Sequence, residues 1–406
     1  MFAVGCTDAG DVADPQVVPL RWVRAYDGDS WERARAGLWW QLGNLGALPP
    51  VGEPGILVQE QDADAVRFTL DLGQVGLSDD AEDALVAASA FVAEADEVRL
   101  FGGLDLGVYF LRTLYEPWTY YSVTGACGDV ADWRQARTGG DPVAEYAITK
   151  SLLLAGDRLD AFTAHPAAVG GIAHLVAEGE GSIQRGTFVP GETESIDVMA
   201  NGMLRYAVYA DSGELAPWAS LAAVGPPGRC MWCHEDHLQP GYASNPGAAR
   251  YVPTEAFLRE LDAQQAAVAA LRSELQTVLV YDPPDAHEVG ELLTETWLQP
   301  SPERLAREWG VGVDQVRAAL AAAGAEGHAN PEHPQLGDDL VHRAEADEAL
   351  GIVLAELADD AGSPFGGQTS FSPVDALPSA REAADTPLTW GDPSALRCLA
   401  STDSGG

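Results

Sequence analysis

The chain has little positive charge: 23 Lys and Arg stand against 62 Asp and Glu in 406 residues, and Lys150 is its single lysine. A formal net charge of -39 repels phosphate groups, which argues against binding to nucleic acid or to an anionic membrane surface. The chain also lacks any run of 18 or more apolar residues, so the sequence predicts no membrane-spanning helix. Neither a nucleophile elbow of the form G-x-S-x-G nor a glycine-rich phosphate loop occurs, so two common kinds of active site lack their usual motif.

With 46% hydrophobic residues, the chain has the composition of a folded protein with sizeable cores. The pattern along the chain predicts an α+β fold with a β-rich N-terminal domain and a helical C-terminal segment. We expect four regions: a tether at 1–15, a β-rich α+β domain at 16–225, a helical domain at 226–360 and a loosely ordered tail at 361–406.

Within the first domain, alternation of apolar and polar residues predicts strands at 66–72 and 204–209, the second followed by a turn at 211–213. Apolar spacing predicts helices at 31–42 and from Ser78 to about residue 93.

Beyond the Gly-Pro-Pro-Gly break at 225–228, helical spacing becomes dominant. It predicts a long helix over 254–280, ended by Asp282-Pro283-Pro284. A capping box at Asp285 starts the next helix, Ser301-Pro302 starts a third, and a fourth runs from 337 or 338 to 357.

The strongest motif is Cys230-Met231-Trp232-Cys233-His234. Two thiols at this spacing can add to the vinyl groups of a haem, and the adjacent imidazole can then ligate the iron. At these five residues the chain resembles c-type cytochromes. The resemblance implies haem c bound through thioethers at Cys230 and Cys233, with His234 as the proximal iron ligand.

The ligand on the other side of the iron stays open at this point. No methionine follows the motif, which excludes the downstream methionine of the commonest single-haem pattern. The alternatives are an upstream methionine, a histidine, and an open position occupied by water or substrate. His287 is the favoured histidine, ahead of His328, His333 and His342, and the open position is an equal alternative to it. A histidine at the sixth position favours electron transfer to a redox partner protein, whereas an open position permits catalysis on a small ligand such as peroxide.

Two other interpretations of the motif involve no haem. Cys230, Cys233, His234 and His237 have the ligand types of a zinc site, although four ligands within eight residues wrap poorly around a tetrahedral ion. The cysteines can also form a plain disulfide or an inert pair.

The N-terminal residues Phe2-Ala3-Val4-Gly5-Cys6 resemble the end of a bacterial lipoprotein signal. The five residues before Cys6 are too few to supply the positively charged start and apolar core of such a signal. The resemblance predicts lipidation of Cys6 and a periplasmic or cell-surface location, with the lipid as the sole membrane anchor. Haem attachment to this motif also normally takes place outside the cytoplasm. In an oxidising compartment, Cys127 and Cys398 could pair.

An alternative function is a cell-surface lipoprotein whose β-rich domain binds carbohydrate, with the Cys/His cluster only structural. The chain has 11 tryptophans, and ring faces that stack on sugars are one use for them, the other being to fill the core. The candidate rings are Trp39, Trp40, Trp118, Tyr120 and Tyr121.

Overall fold

The structure is a computed structural model. It describes residues 15–52, 54–138, 145–150, 157–164, 172–217, 230–234, 242–243, 251–279, 281, 284–331, 333–350 and 398.

A four-stranded sheet forms near the N-terminus in the order β2-β3-β1-β4. Its strands are β1 (Val17–Val23), β2 (Ile56–Gln61), β3 (Ala65–Asp71) and β4 (Leu104–Asp105). β1 pairs antiparallel with β3 and parallel with β4. The strand predicted at 66–72 is confirmed as β3, where Val66, Phe68 and Leu70 are fully buried and their neighbours are half-buried.

The helices of this part of the chain are α1 (Trp31–Asn44), α2 (Asp79–Ala88), α3 (Asp96–Phe101), α4 (Leu106–Arg112), α5 (Pro117–Thr124) and α6 (Val130–Thr138). The helix predicted from Ser78 is shorter than expected. It continues as a 3-10 helix, Ser89–Glu94, at the point where the Ser89 hydroxyl is buried 3.1 Å from the hydroxyl of Tyr109. A tertiary contact therefore accompanies the change in helix type.

The second sheet has seven antiparallel strands in the order β10-β9-β8-β7-β6-β5-β11. They are β5 (Glu145–Lys150), β6 (Asp157–Ala164), β7 (Ile172–Glu180), β8 (Val189–Val198), β9 (Leu204–Tyr209), β10 (Leu215–Ala216) and β11 (Tyr242–Ala243). The strand predicted at 204–209 is confirmed as β9. All of its residues are buried, so other elements cover both faces of the sheet here.

The remaining helices are α7 (Cys230–His234), α8 (Thr254–Glu274), α9 (Pro284–Leu298), α10 (Pro302–Trp309), α11 (Val313–Ala323) and α12 (Arg343–Leu350). The start of α10 is as predicted, since the Ser301 hydroxyl accepts a hydrogen bond from the Arg304 amide at 3.2 Å. None of the helices in the described ranges is long and apolar enough to cross a membrane.

Two predicted helix ends are wrong, for the same physical reason. α8 stops at Glu274, because the Thr277 hydroxyl and the Val278 amide both donate to the Pro49 carbonyl, at 2.6 and 3.2 Å. α12 begins at Arg343 rather than 337 or 338, because Leu340 first pairs with His328 through two backbone hydrogen bonds of 2.9 and 3.0 Å.

The main apolar core joins the two sheets and helices α1 to α9, with residues from both sides of position 225, such as Leu38, Met231 and Trp297. A separate core packs α10, α11 and α12 together. α1 and α9 approach closely at glycines: a Cβ added to Gly290 would lie 2.6 Å from the ring of Trp40. The fold class is α+β, as the sequence predicts. The four region boundaries stay predictions, and the tail at 361–406 lies outside the described residues except for Cys398.

Candidate functional site

The cysteine motif forms a single helical turn, α7 (Cys230–His234). Residues four apart share one face of a helix, so Cys230 and His234 lie on the same side, and both are half-buried. Met231 is fully buried in the main core. The motif is thus attached to the core by its own second residue.

Other predicted ligands lie beyond what the structure describes. Cys233 is within α7 and His287 within α9, but their side chains are outside the described residues, as are Cys6 and His237. The structure therefore brings Cys230 and His234 to one helix face and leaves the other ligand assignments as predictions.

Tyr206 of β9 is the ring next to His234, with centroids 5.4 Å apart and planes inclined by 39°. Tyr206 is buried, and its backbone amide donates to the Tyr120 hydroxyl at 3.1 Å. Sequence reasoning missed this neighbour, because the alternation in β9 gives the face of Tyr206 but not the element that covers it.

Two further tyrosines lie near Cys230. Burial raises the pKa of Tyr120 and of Tyr121, and the negative charge of a Cys230 thiolate raises both further. Both rings are buried in the core, and the Tyr121 hydroxyl donates to the Ala216 carbonyl at 2.7 Å. The buried rings of Tyr120 and Tyr121 therefore lie near Cys230.

The donors that the structure describes at α7 are the Cys230 thiol and the His234 imidazole. A thiol and an imidazole on one face of a helical turn are the donor types for attachment and axial ligation.

The aromatic residues proposed for carbohydrate are not arranged for it. Trp39 and Trp40 are 3% and 2% exposed, and Tyr120 and Tyr121 are 0% exposed. Trp118 is half-buried and packs edge-on against Tyr121 at 5.9 Å. The prediction that these rings together line a sugar-binding cleft is wrong, because Trp39, Trp40, Tyr120 and Tyr121 fill the core.

Three carboxylates cluster on the second sheet: Glu178 of β7 with Glu192 and Glu194 of β8 have oxygens within 4.8 Å of one another. Arg158 of β6 donates to Glu194 at 3.0 Å and lies 3.9 Å from Glu178. Burial, only partly offset by Arg158, raises the pKa of Glu194 to about 7. Three carboxylates are oxygen ligands of the kind that Ca²⁺ prefers. However, the positive charge of Arg158 already neutralises part of their negative charge.

Cys127 and Cys398 form a disulfide that spans 271 residues of sequence, with Cα atoms 4.2 Å apart. Cys127 is fully buried and Cys398 packs against the main core. The bond attaches a residue close to the C-terminus to the segment between α5 and α6.

In comparisons with protein-family models, curated proteins and solved structures, this chain matches none of them. The functional argument therefore depends on the residues and their geometry.

Proposed function

We propose that this protein is an extracytoplasmic c-type cytochrome-like protein that binds one haem c at Cys230, Cys233 and His234 and transfers electrons. The observation that carries the proposal is the packing of the motif: its single helical turn is fixed in the core by Met231, with the His234 ring next to the buried Tyr206.

Each residue has a role in this proposal. Cys230 and Cys233 hold the haem through thioethers, and His234 ligates its iron. Met231 fixes the turn to the core, and Tyr206 limits the rotation of the imidazole, which keeps the ligand in one orientation. His287 remains our candidate for the sixth ligand. The bound group supplies one-electron chemistry, for which the polypeptide needs to provide only ligation, burial and a rigid surrounding.

The compartment and the partner follow from two further features. The disulfide between Cys127 and Cys398 is typical of oxidising compartments, which supports a periplasmic or cell-surface location. The lipid anchor at Cys6 remains part of the proposal on the sequence alone. The net charge of -39 favours a redox partner protein with a positively charged docking surface.

The test is a pyridine haemochrome spectrum with intact mass, on protein exported through a c-type maturation system. The variant Cys230→Ala/Cys233→Ala removes both attachment thiols. Cys127→Ala/Cys398→Ala is its matched control, because it removes two cysteines and leaves the motif intact.

We expect a covalent haem in the wild type and in the control, and none in the Cys230→Ala/Cys233→Ala variant. Colourless protein of unmodified polypeptide mass, from cells that mature another cytochrome normally, would overturn the proposal. Stoichiometric zinc in that colourless protein would favour the zinc interpretation instead.

A further inference from the structure

A polar residue lies in the buried stripe of α8. The helix turns Phe257, Leu261, Gln264 and Val268 inwards, and all four are buried. Phe257 packs on Phe162 of β6 with ring centroids 5.1 Å apart, so this stripe faces the second sheet. A buried amide in an apolar stripe requires hydrogen-bond partners on that sheet.

Gln264 finds its partner in His174 of β7. The His174 Nε2 lies 2.7 Å from the Gln264 carbonyl oxygen, and its Nδ1 lies 3.0 Å from a carboxylate oxygen of Asp160 on β6. The imidazole is 2% exposed and stacks on Phe162 at 5.7 Å. Both ring nitrogens are thus hydrogen-bonded in a site shielded from water.

The orientation of the Gln264 amide decides which atom donates. Its nitrogen donates to the carboxylate of Glu260 at 3.3 Å, so its oxygen points to His174, and an oxygen can only accept. The Nε2 must then carry a proton. The Nδ1 faces a carboxylate, and the proton between them belongs on the imidazole because the ordinary pKa of His, about 6.5, is well above that of Asp, about 3.9.

We infer that His174 is a doubly protonated, buried cation that ties α8 to the second sheet, and that loss of its proton loosens this tie. A neutral imidazole would leave one ring nitrogen without a proton to donate, either to Asp160 or to Gln264. The inference is independent of haem binding and concerns the helix that follows the cysteine motif along the chain.

The charges around His174 agree with this state. Burial lowers the pKa of His174, but Asp160, the hydrogen bond to Gln264 and the charge of Glu260 outweigh burial and raise the pKa above 6.5. On β8, Ile196 lies opposite His174, and Glu194, two residues along the same face, accepts a hydrogen bond from Arg158 at 3.0 Å.

The sign of the pH dependence follows from the raised pKa. The folded chain holds the proton more tightly than the unfolded chain, so the stabilisation is complete below the unfolded pKa of about 6.5 and is lost as the pH rises through the folded pKa. Above that point the amides of α8 should exchange faster than their intrinsic pH dependence requires.

The experiment is nitrogen NMR of the full chain with labelled histidine, recorded as the pH rises from neutrality. A His174→Asn variant assigns the signals, and α8 is followed by hydrogen exchange. Gln264→Glu places a carboxylate against Nε2, whereas Ala263→Glu adds the same charge at an exposed neighbouring position of α8. We expect protons on both nitrogens of His174 at neutral pH, and at least a tenfold higher affinity for the titrating proton in Gln264→Glu but not in Ala263→Glu.

Two results would overturn the inference. One is a wild-type His174 with an unprotonated ring nitrogen at neutral pH, a measurement that needs only the assignment variant. The other is exchange in 254–274 that follows only the intrinsic pH dependence while His174 loses its proton.

Discussion

Replacing Arg343 with methionine should destabilise the protein by about 3 kcal/mol, at the lower end of the range for breaking one partner of a buried ion pair. Arg343 of α12 donates to both carboxylate oxygens of Glu308, at 2.8 and 2.9 Å, and to the Trp297 carbonyl at 2.8 Å. Both charged side chains are at most 1% exposed.

The magnitude depends on what Glu308 keeps. Burial raises the pKa of Glu308, but the positive charge of Arg343, followed by that of Arg21 and Arg304, holds it below its ordinary value. After the substitution Arg21 and Arg304 remain at 3.8 and 3.7 Å. They compensate part of the stranded charge, which is why we choose the lower end of the range.

Urea unfolding at neutral pH measures the effect. Arg317→Met is the matched control, because its pairs with Glu303 and Asp339 are more than 40% exposed and should contribute at most about 1 kcal/mol. The reasoning is refuted if Arg343→Met and Arg317→Met cost the same. If the stranded charge causes the loss, Arg343→Met/Glu308→Leu should be more stable than Arg343→Met alone.

Three other predictions concern packing, pH and the proposed haem site. Gly107→Ala should lower the free energy of unfolding by about 1–3 kcal/mol in thermal or urea unfolding, because the new Cβ would lie 2.5 Å from the Leu293 carbonyl oxygen. Gly191→Ala is the control and should cost little, since its Cβ would lie 3.8 Å from the nearest atom. Equal losses in the two variants would contradict the prediction. Burial raises the pKa of Glu97 above its ordinary value of 4.5 despite the ion pair with Arg21, so the folded state binds its proton more tightly, and the free energy of unfolding should fall as the pH rises above that value. Glu97→Gln should reduce the fall between pH of about 5 and about 8, and an unchanged slope would count against a role for Glu97. In haem-loaded protein, Tyr206→Leu should change the electron paramagnetic resonance spectrum and the reduction potential, whereas Tyr206→Phe, which keeps the ring, should retain the wild-type values. Tyr209→Leu, on the opposite face of β9, should leave both properties unchanged. Equal changes in the two leucine variants would show a merely structural effect.

The sequence predicts elements well where local rules decide. The strand at 204–209 follows from alternation, and the start of α10 follows from Ser301 and the proline after it. The C-terminal end of α8 and the start of α12 could not be predicted from local rules. Hydrogen bonds to Pro49 and to His328 set them, and both residues lie outside the helices that they limit.

The sequence identifies the candidate residues of the site but not their surroundings. Cys230 and His234 follow from spacing alone, whereas the contact between His234 and Tyr206 joins elements separated by a stretch that carries no periodic signal. For the aromatic residues assigned to carbohydrate, the sequence interpretation was wrong. Trp39 and Trp40 lie in a part of α1 where every residue from 37 to 44 is buried, and the apolar stripe of the sequence does not show burial on all sides.

Composition does not show where the few cations lie. Several of them are buried against carboxylates: Arg21, Arg137, Arg205, Arg304 and Arg343. Buried arginines of this kind fix the relative positions of elements far apart in sequence, such as β1 and α12. The pattern of charges along the chain does not identify which arginines are buried.

The most direct test of the haem proposal is peptide mapping by mass spectrometry of the exported protein, after removal of all non-covalent cofactor. We predict that the peptide containing Cys230 and Cys233 carries the mass of one haem and absorbs visible light. The same peptide with an unmodified mass, in protein from cells that attach haem to another cytochrome, would contradict the account.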